Sequence, residues 1–152
     1  MLCDTMPGFE ASFTPEKRAE FVRLRKQPLV DGKEPKDIAP IVARTLMSPK
    51  SSPAALQKLI DSMSALHKDS YIKTIEASTH YDRVADLPNI RVPTLLVYGE
   101  DDTLTPPALG RSMAAKIPGA EMVVIPDAGH LPNIEQPEAF NGAVLAFLQR
   151  HC

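Results

Sequence analysis

The run Leu95-Leu96-Val97-Tyr98, led in by Pro93-Thr94 and closed by Gly99, constrains this chain more than any other stretch. It is apolar at consecutive positions rather than alternate ones. A strand with one wet face alternates polar and apolar side chains. An unbroken run therefore belongs to a strand covered on both faces, as in a parallel sheet between helices. Met122-Val123-Val124-Ile125 repeats the pattern. Between the two runs a helix is predicted from Pro107 to about Ile117, ended by Pro118-Gly119. After the second run, a helix from Pro137 sets Phe140, Ala143, Val144, Phe147 and Leu148 on one face. Strand, helix, strand, helix with short loops predicts βαβ units and an α/β fold class.

Before Pro88 the grammar is different. Thr14-Pro15 reads as an N-cap followed by proline at the first helical position, opening a helix that runs toward Pro28. Ile38, Ile41, Val42, Thr45 and Leu46 recur at helical spacing until Ser48-Pro49 stops them. Ser52-Pro53 opens a third helix, striped by Leu56, Leu59, Ile60, Met63 and Leu66, and a fourth covers Asp69 to Ser78. These short amphipathic helices need another surface to cover. The opening Met1-Leu2-Cys3, with the turn-like Asp4-Thr5-Met6-Pro7-Gly8 behind it, reads as the end of a strand. The chain thus divides into residues 1–8, a residual strand and loop; 9–87, a helical region; and 88–152, the sheet-building segment.

Charge excludes several partners. A formal net charge of −2 gives no basic excess for nucleic acid or an anionic membrane surface. No apolar run is long enough to span a bilayer, and Met1 to Phe9 lacks the basic and apolar regions of a signal peptide. Cys3 and Cys152 are too few for a disulfide framework or a metal cluster. A soluble, cytoplasmic protein is expected.

In open parallel sheets, ligands and catalytic groups gather at the carboxyl ends of the strands. The first strand leads into Gly99-Glu100-Asp101-Asp102-Thr103-Leu104-Thr105-Pro106, the second into Pro126-Asp127-Ala128-Gly129-His130-Leu131-Pro132. An acid and a histidine on neighbouring strand ends can meet in space. The carboxylate then fixes the imidazole tautomer and stabilises the imidazolium.

At these residues the chain resembles the α/β-hydrolases, in their enol-lactonase and carboxylesterase form. Val92 to Asp102, with Thr105-Pro106 behind, is similar to the acid-bearing strand and loop of that family, whose acid lies three positions after the glycine. Ile125 to His130, followed by Glu135-Gln136-Pro137-Glu138, resembles its histidine loop and final helix. Leu2-Cys3-Asp4-Thr5 resembles the strand after its nucleophile helix. The resemblance implies the C-terminal part of an α/β-hydrolase sheet, with residues 9–87 as a helical cap. It further implies Asp102 as the acid, His130 as the general base and acid, and an ester or lactone as the small-molecule substrate, with no metal or organic cofactor. The family order of nucleophile, acid, histidine is kept as far as it goes.

The nucleophile elbow, Gly-x-Ser-x-Gly between a strand and a helix, is not in the sequence. Gly110-Arg111-Ser112-Met113-Ala114 comes nearest, but it lies inside a predicted helix and follows the acid. Cys3 is an alternative thiol, though a small buried residue needs no such role. Taken singly, Asp102 reads as a helix cap or turn residue and His130 as a loop histidine. Together, at successive strand ends, they read as two members of a triad. Glu100 and Asp101 read as solvated loop acids, Asp127 as a turn residue, and His67, His80 and His151 as surface residues. Glu135 reads as a first-turn acid suited to the helix dipole. Met6, Met47, Met63 and Met113 read as core filling, with an apolar substrate pocket as the alternative.

Three functional readings follow: a C-terminal fragment of a hydrolase, inactive alone; a half-enzyme completed by another chain; or a non-catalytic module binding a ligand or partner. In each, the stub Met1-Leu2-Cys3 would leave an open sheet edge, which predicts self-association or a partner chain.

Overall fold

The computed structural model describes residues 1–9 and 13–151; Cys152 of the sequence reading lies outside the described residues. The chain opens with β1 (Leu2–Cys3). Four helices follow: α1 (Pro15–Val30), α2 (Pro35–Leu46), α3 (Pro53–Ser64) and α4 (Lys68–Ser78). A 3-10 helix, Val84–Asn89, leads into β2 (Leu95–Gly99), α5 (Pro107–Ala114) and β3 (Glu121–Ile125). The short α6 (Pro132–Glu135) and the long α7 (Pro137–His151) close the described chain.

The three strands form one parallel sheet in the order β1-β2-β3. Leu2 lies opposite Leu96, Leu96 opposite Met122, and Gly99 opposite Ile125. Every residue of β2 is buried. Because side chains alternate across a strand, β2 feeds two separate cores. Leu96 and Tyr98 pack with Leu87, Met113 and Ile117 on one face. Leu95 and Val97 pack with Ile125, Ala128 and Phe147 on the other. The consecutive apolar run in the sequence is the imprint of this double burial.

A third core lies between α2 and α3, where Ala39, Ala43, Met47, Ala55, Leu59 and Met63 interdigitate. The stripe expected on α3 is present, though Leu66 is 42% exposed beyond the helix end. Leu131 and Ile134 pack against this cluster, so the histidine loop and α6 are its floor. The N-caps act as expected: Thr14 Oγ1 accepts from the Lys17 amide and Ser52 Oγ from the Ala55 amide.

Some boundaries differ from expectation. Helix α1 passes Pro28 and ends at Val30, since a proline in the last turn loses one amide bond without stopping the turn already wound. The helix after β2 ends at Ala114, and single turns carry the chain to Ile117. The 3-10 helix and α6 are additional; each is shorter than the window over which periodicity can be read. Met6, Met47, Met63 and Met113 are buried core residues.

Candidate active site

The acid and histidine loops leave the carboxyl ends of β2 and β3, which lie side by side. They are brought together by backbone contact as well as by register. The Glu100 amide donates to Ile125 O at 2.9 Å, and the Asp101 amide to Ala128 O at 2.8 Å. The approach is close enough to require glycine. A Cβ on Gly99 would stand 1.9 Å from Gly129 O, and one on Gly129 would stand 2.5 Å from Leu46 O.

Within this frame His130 Nδ1 lies 2.9 Å from Asp102 Oδ2. The Asp102 side chain is 1% exposed and that of His130 is 23% exposed. The buried carboxylate is well supplied with donors. Its Oδ1 accepts from the amides of Leu104 (2.8 Å) and Thr105 (3.1 Å), and its Oδ2 accepts from Thr105 Oγ1 at 2.6 Å. Burial pushes the Asp102 carboxyl up. The hydrogen bonds from His130 and Thr105 together outweigh burial, so its net shift is below the ordinary value. An ionised carboxylate can only accept, which assigns the shared proton to Nδ1 and leaves Nε2 as the basic nitrogen.

Two buried carboxyl groups that sequence reading did not place complete the surroundings. Asp4, just past β1, takes a positive φ of 38°. Its amide donates to Val97 O at 3.0 Å, and its Oδ1 accepts from the Gly99 amide at 2.8 Å. The side chain thereby carries the β1–β2 ladder one step past the strand. Burial pushes the Asp4 carboxyl up to about 7. Glu135, read as a helix-dipole acid, is instead 7% exposed and turned inward. Its Oε1 accepts from the Gly129 and Leu131 amides, and its Oε2 from the Ser48 amide and the Ser51 hydroxyl.

The remaining candidates stand apart from the pair. Ser112 is exposed within α5, past its first turn, and so is not on a strand-to-helix elbow. The Cys3 thiol is pushed up to about 12, by burial first and then by the neighbouring Asp4 to which it donates. That keeps it protonated and a poor nucleophile. Glu100 is exposed, whereas Asp101 is half-buried and accepts from Ser48 Oγ at 2.6 Å, contrary to the solvated reading. Asp127 occupies a left-handed turn, φ 56°, and pairs with Lys50. His67, His80 and His151 are exposed. Among the described residues no group of three or more His, Cys, Asp or Glu side chains is placed to hold a metal ion. No described helix is long and apolar enough to cross a membrane.

The parallel sheet, the acid loop after one strand and the histidine loop after the next define a hydrolase-type scaffold. The profile of the alpha/beta hydrolase family matches residues 4–143, and the chain belongs to that family. A thermophilic esterase from Thermogutta terrifontis, solved with malate bound, superposes with a TM-score of 0.84 at 29% identity, over 99% of this chain and 56% of its own. The enol-lactonase from Burkholderia xenovorans LB400 superposes with a TM-score of 0.76 at 28% identity, over 97% of this chain and 54% of its own. In sequence, 3-oxoadipate enol-lactonase 2 of Acinetobacter baylyi is 32% identical over 101 residues, 66% of this chain and 38% of the lactonase. The chain therefore spans between about a third and just over half of the length of these relatives.

Proposed function

We propose that Asp102 and His130 are the acid and the base of an ester- or lactone-hydrolysing site. The observation that carries this reading is the 2.9 Å contact between His130 Nδ1 and a carboxylate that is buried and held ionised. In that role Asp102 orients the ring and stabilises the imidazolium without taking the proton. His130 Nε2 removes the proton from an attacking hydroxyl as it adds to the acyl carbonyl, then delivers it to the leaving oxygen. No metal or organic cofactor is required for these steps.

The attacking hydroxyl and the amides for the oxyanion are assigned to residues outside this sequence, either in one longer enzyme or on a second chain. In support, no Gly-x-Ser-x-Gly occurs on a strand-to-helix turn. Also, β1 pairs on one side only among the described residues, leaving an edge for further strands or for self-association. We assign the helical region 9–87 the part of a lid. The cavity of about 590 Å³ lined by Met47, Ser48, Pro49, Ser51 and Leu56 lies within that region and is a candidate space for the substrate.

The test is a chimera in which these residues replace the matching part of the Thermogutta terrifontis esterase, assayed on a short-chain p-nitrophenyl ester. Hydrolysis that falls by about a thousandfold or more with His130→Ala supports the reading. A folded chimera that is inactive, or indifferent to that substitution, removes it. Hydrolysis by the 152-residue chain alone, lost in His130→Ala, would place the nucleophile inside the chain instead.

A further inference from the structure

Loop residues lack the ladder that fixes a strand, so a histidine on a loop is only as well placed as its backbone amides are anchored. Three consecutive amides around His130 are all bound. Gly129 and Leu131 donate to Glu135 Oε1 at 2.9 and 3.0 Å, and His130 itself donates to Leu46 O at 2.7 Å. The second oxygen of the same carboxylate takes the Ser48 amide at 2.7 Å and the Ser51 hydroxyl. Ser48 and Ser51 lie in the turn between α2 and α3, more than eighty positions upstream of Glu135. Ser48 reaches onward through its hydroxyl to Asp101, the neighbour of Asp102. A buried carboxylate with four donors is both compensated and geometrically determined, because each donor restricts it in a different direction.

We propose that Glu135 is a positioning residue for His130: its carboxylate clamps the two amides that flank the histidine and joins them to the Ser48–Ser51 turn. The ring's approach to Asp102 then depends on the helical region staying docked, and undocking of the α2–α3 turn releases the histidine. The inference rests on the reading of His130 as the base, but its geometry can be measured without any turnover.

The experiment is NMR on the full chain, following amide exchange together with the far-downfield Nδ1 proton of His130. Glu135→Ala removes both accepting oxygens, the one that holds Gly129 and Leu131 and the one that holds Ser48. Exchange at Gly129, Leu131 and Ser48 is expected to accelerate about tenfold or more, while Val97 in β2 is unchanged. The Nδ1 resonance should broaden, a signature that loosening elsewhere in the fold would not produce. Unchanged exchange at Gly129 and Leu131, or a sharp Nδ1 resonance despite faster exchange, overturns the proposal. Should Glu135→Ala fail to fold, Ser51→Ala removes a single donor to the same carboxylate. Exchange at Ser48, Gly129 and Leu131 must then rise together; a response at Ser48 alone overturns the coupling. Absence of the Nδ1 resonance from the unsubstituted chain would count against the acid–histidine pair, and the amide exchange would still decide the clamp.

Discussion

The hydroxyl of Thr105 donates at 2.6 Å to the same oxygen of Asp102 that faces His130 Nδ1. Thr105 Oγ1 also stands 3.2 Å from that ring nitrogen. One carboxylate oxygen is thus shared by a hydroxyl and an imidazole, and the hydroxyl helps to keep the acid ionised and aimed. Thr105→Val keeps the shape and removes the donor. It should cost about 1.5–3 kcal/mol in urea unfolding, the usual loss for a buried bond to a charged group.

The same substitution has a pH signature. Asp102 titrates below its ordinary value in the fold, so its contribution is present above the unfolded value and is lost as pH falls through the lowered one. With the Thr105 donor gone the folded value rises, and acid unfolding should begin at higher pH. A circular-dichroism acid titration identical to that of the unsubstituted chain would show that Thr105 has no part in setting the charge.

Asp4 predicts the opposite dependence. Burial raises its carboxyl from 3.8 to about 7, so between those values the unfolded chain has released a proton that the fold retains. Stability from this group therefore falls as pH rises across that interval and levels off above it. Asp4→Asn fixes the neutral form and can still accept from the Gly99 amide. It should flatten that slope and raise Tm at pH 8 by on the order of 3 °C. A Tm profile parallel to that of the unsubstituted chain would sink this account.

The glycine pair at the loop contact should tolerate nothing larger. Gly99→Ala puts a methyl group 1.9 Å from Gly129 O, which forces the acid and histidine loops apart. A loss of about 3 kcal/mol or more is expected in urea unfolding. A variant within about 1 kcal/mol of the unsubstituted chain would mean that the loops can separate freely.

Cys3 should be chemically silent. With Cys152 replaced by serine, its reaction with an aromatic disulfide reagent at pH 8 should be about a hundredfold slower in buffer than in denaturing urea, because burial and Asp4 keep the thiol protonated. Equal rates would restore it as a candidate nucleophile.

What the sequence reveals here follows from the range over which each interaction acts. Strand β2 is legible because burial on two faces removes polar positions from a run of neighbours. Strand β3 carries a similar apolar run, although against expectation only Ile125 of it is buried, since β3 lies at the edge of the described sheet. Several helices are legible because proline sits at their first turn, where its missing amide costs nothing. Asp102 and His130 stand out because each follows a legible strand. Glu135 and Asp4 do not, because their meaning lies in amides far along the chain. Ser48 is 87 positions from Glu135 and Gly99 is 95 from Asp4, and no local pattern announces which distant amide a carboxylate will meet. Glu135 has the composition of an ordinary first-turn acid, and only the fold turns it inward.

Those same separations set an order of events. Helices α2 and α3 are consecutive and bury a cluster against each other, so their pairing closes only a short loop. Joining β1 to β2 closes a loop across 95 positions, and loop-closure entropy must be met before any contact there rewards it. Closure entropy therefore favours forming the helical hairpin before the β1–β2 ladder. Asp4 grips Gly99, where the acid loop starts, only when that ladder closes. Asp4, just past the two residues of β1, is thus placed as a latch: it ties the start of the acid loop to a strand 95 positions upstream.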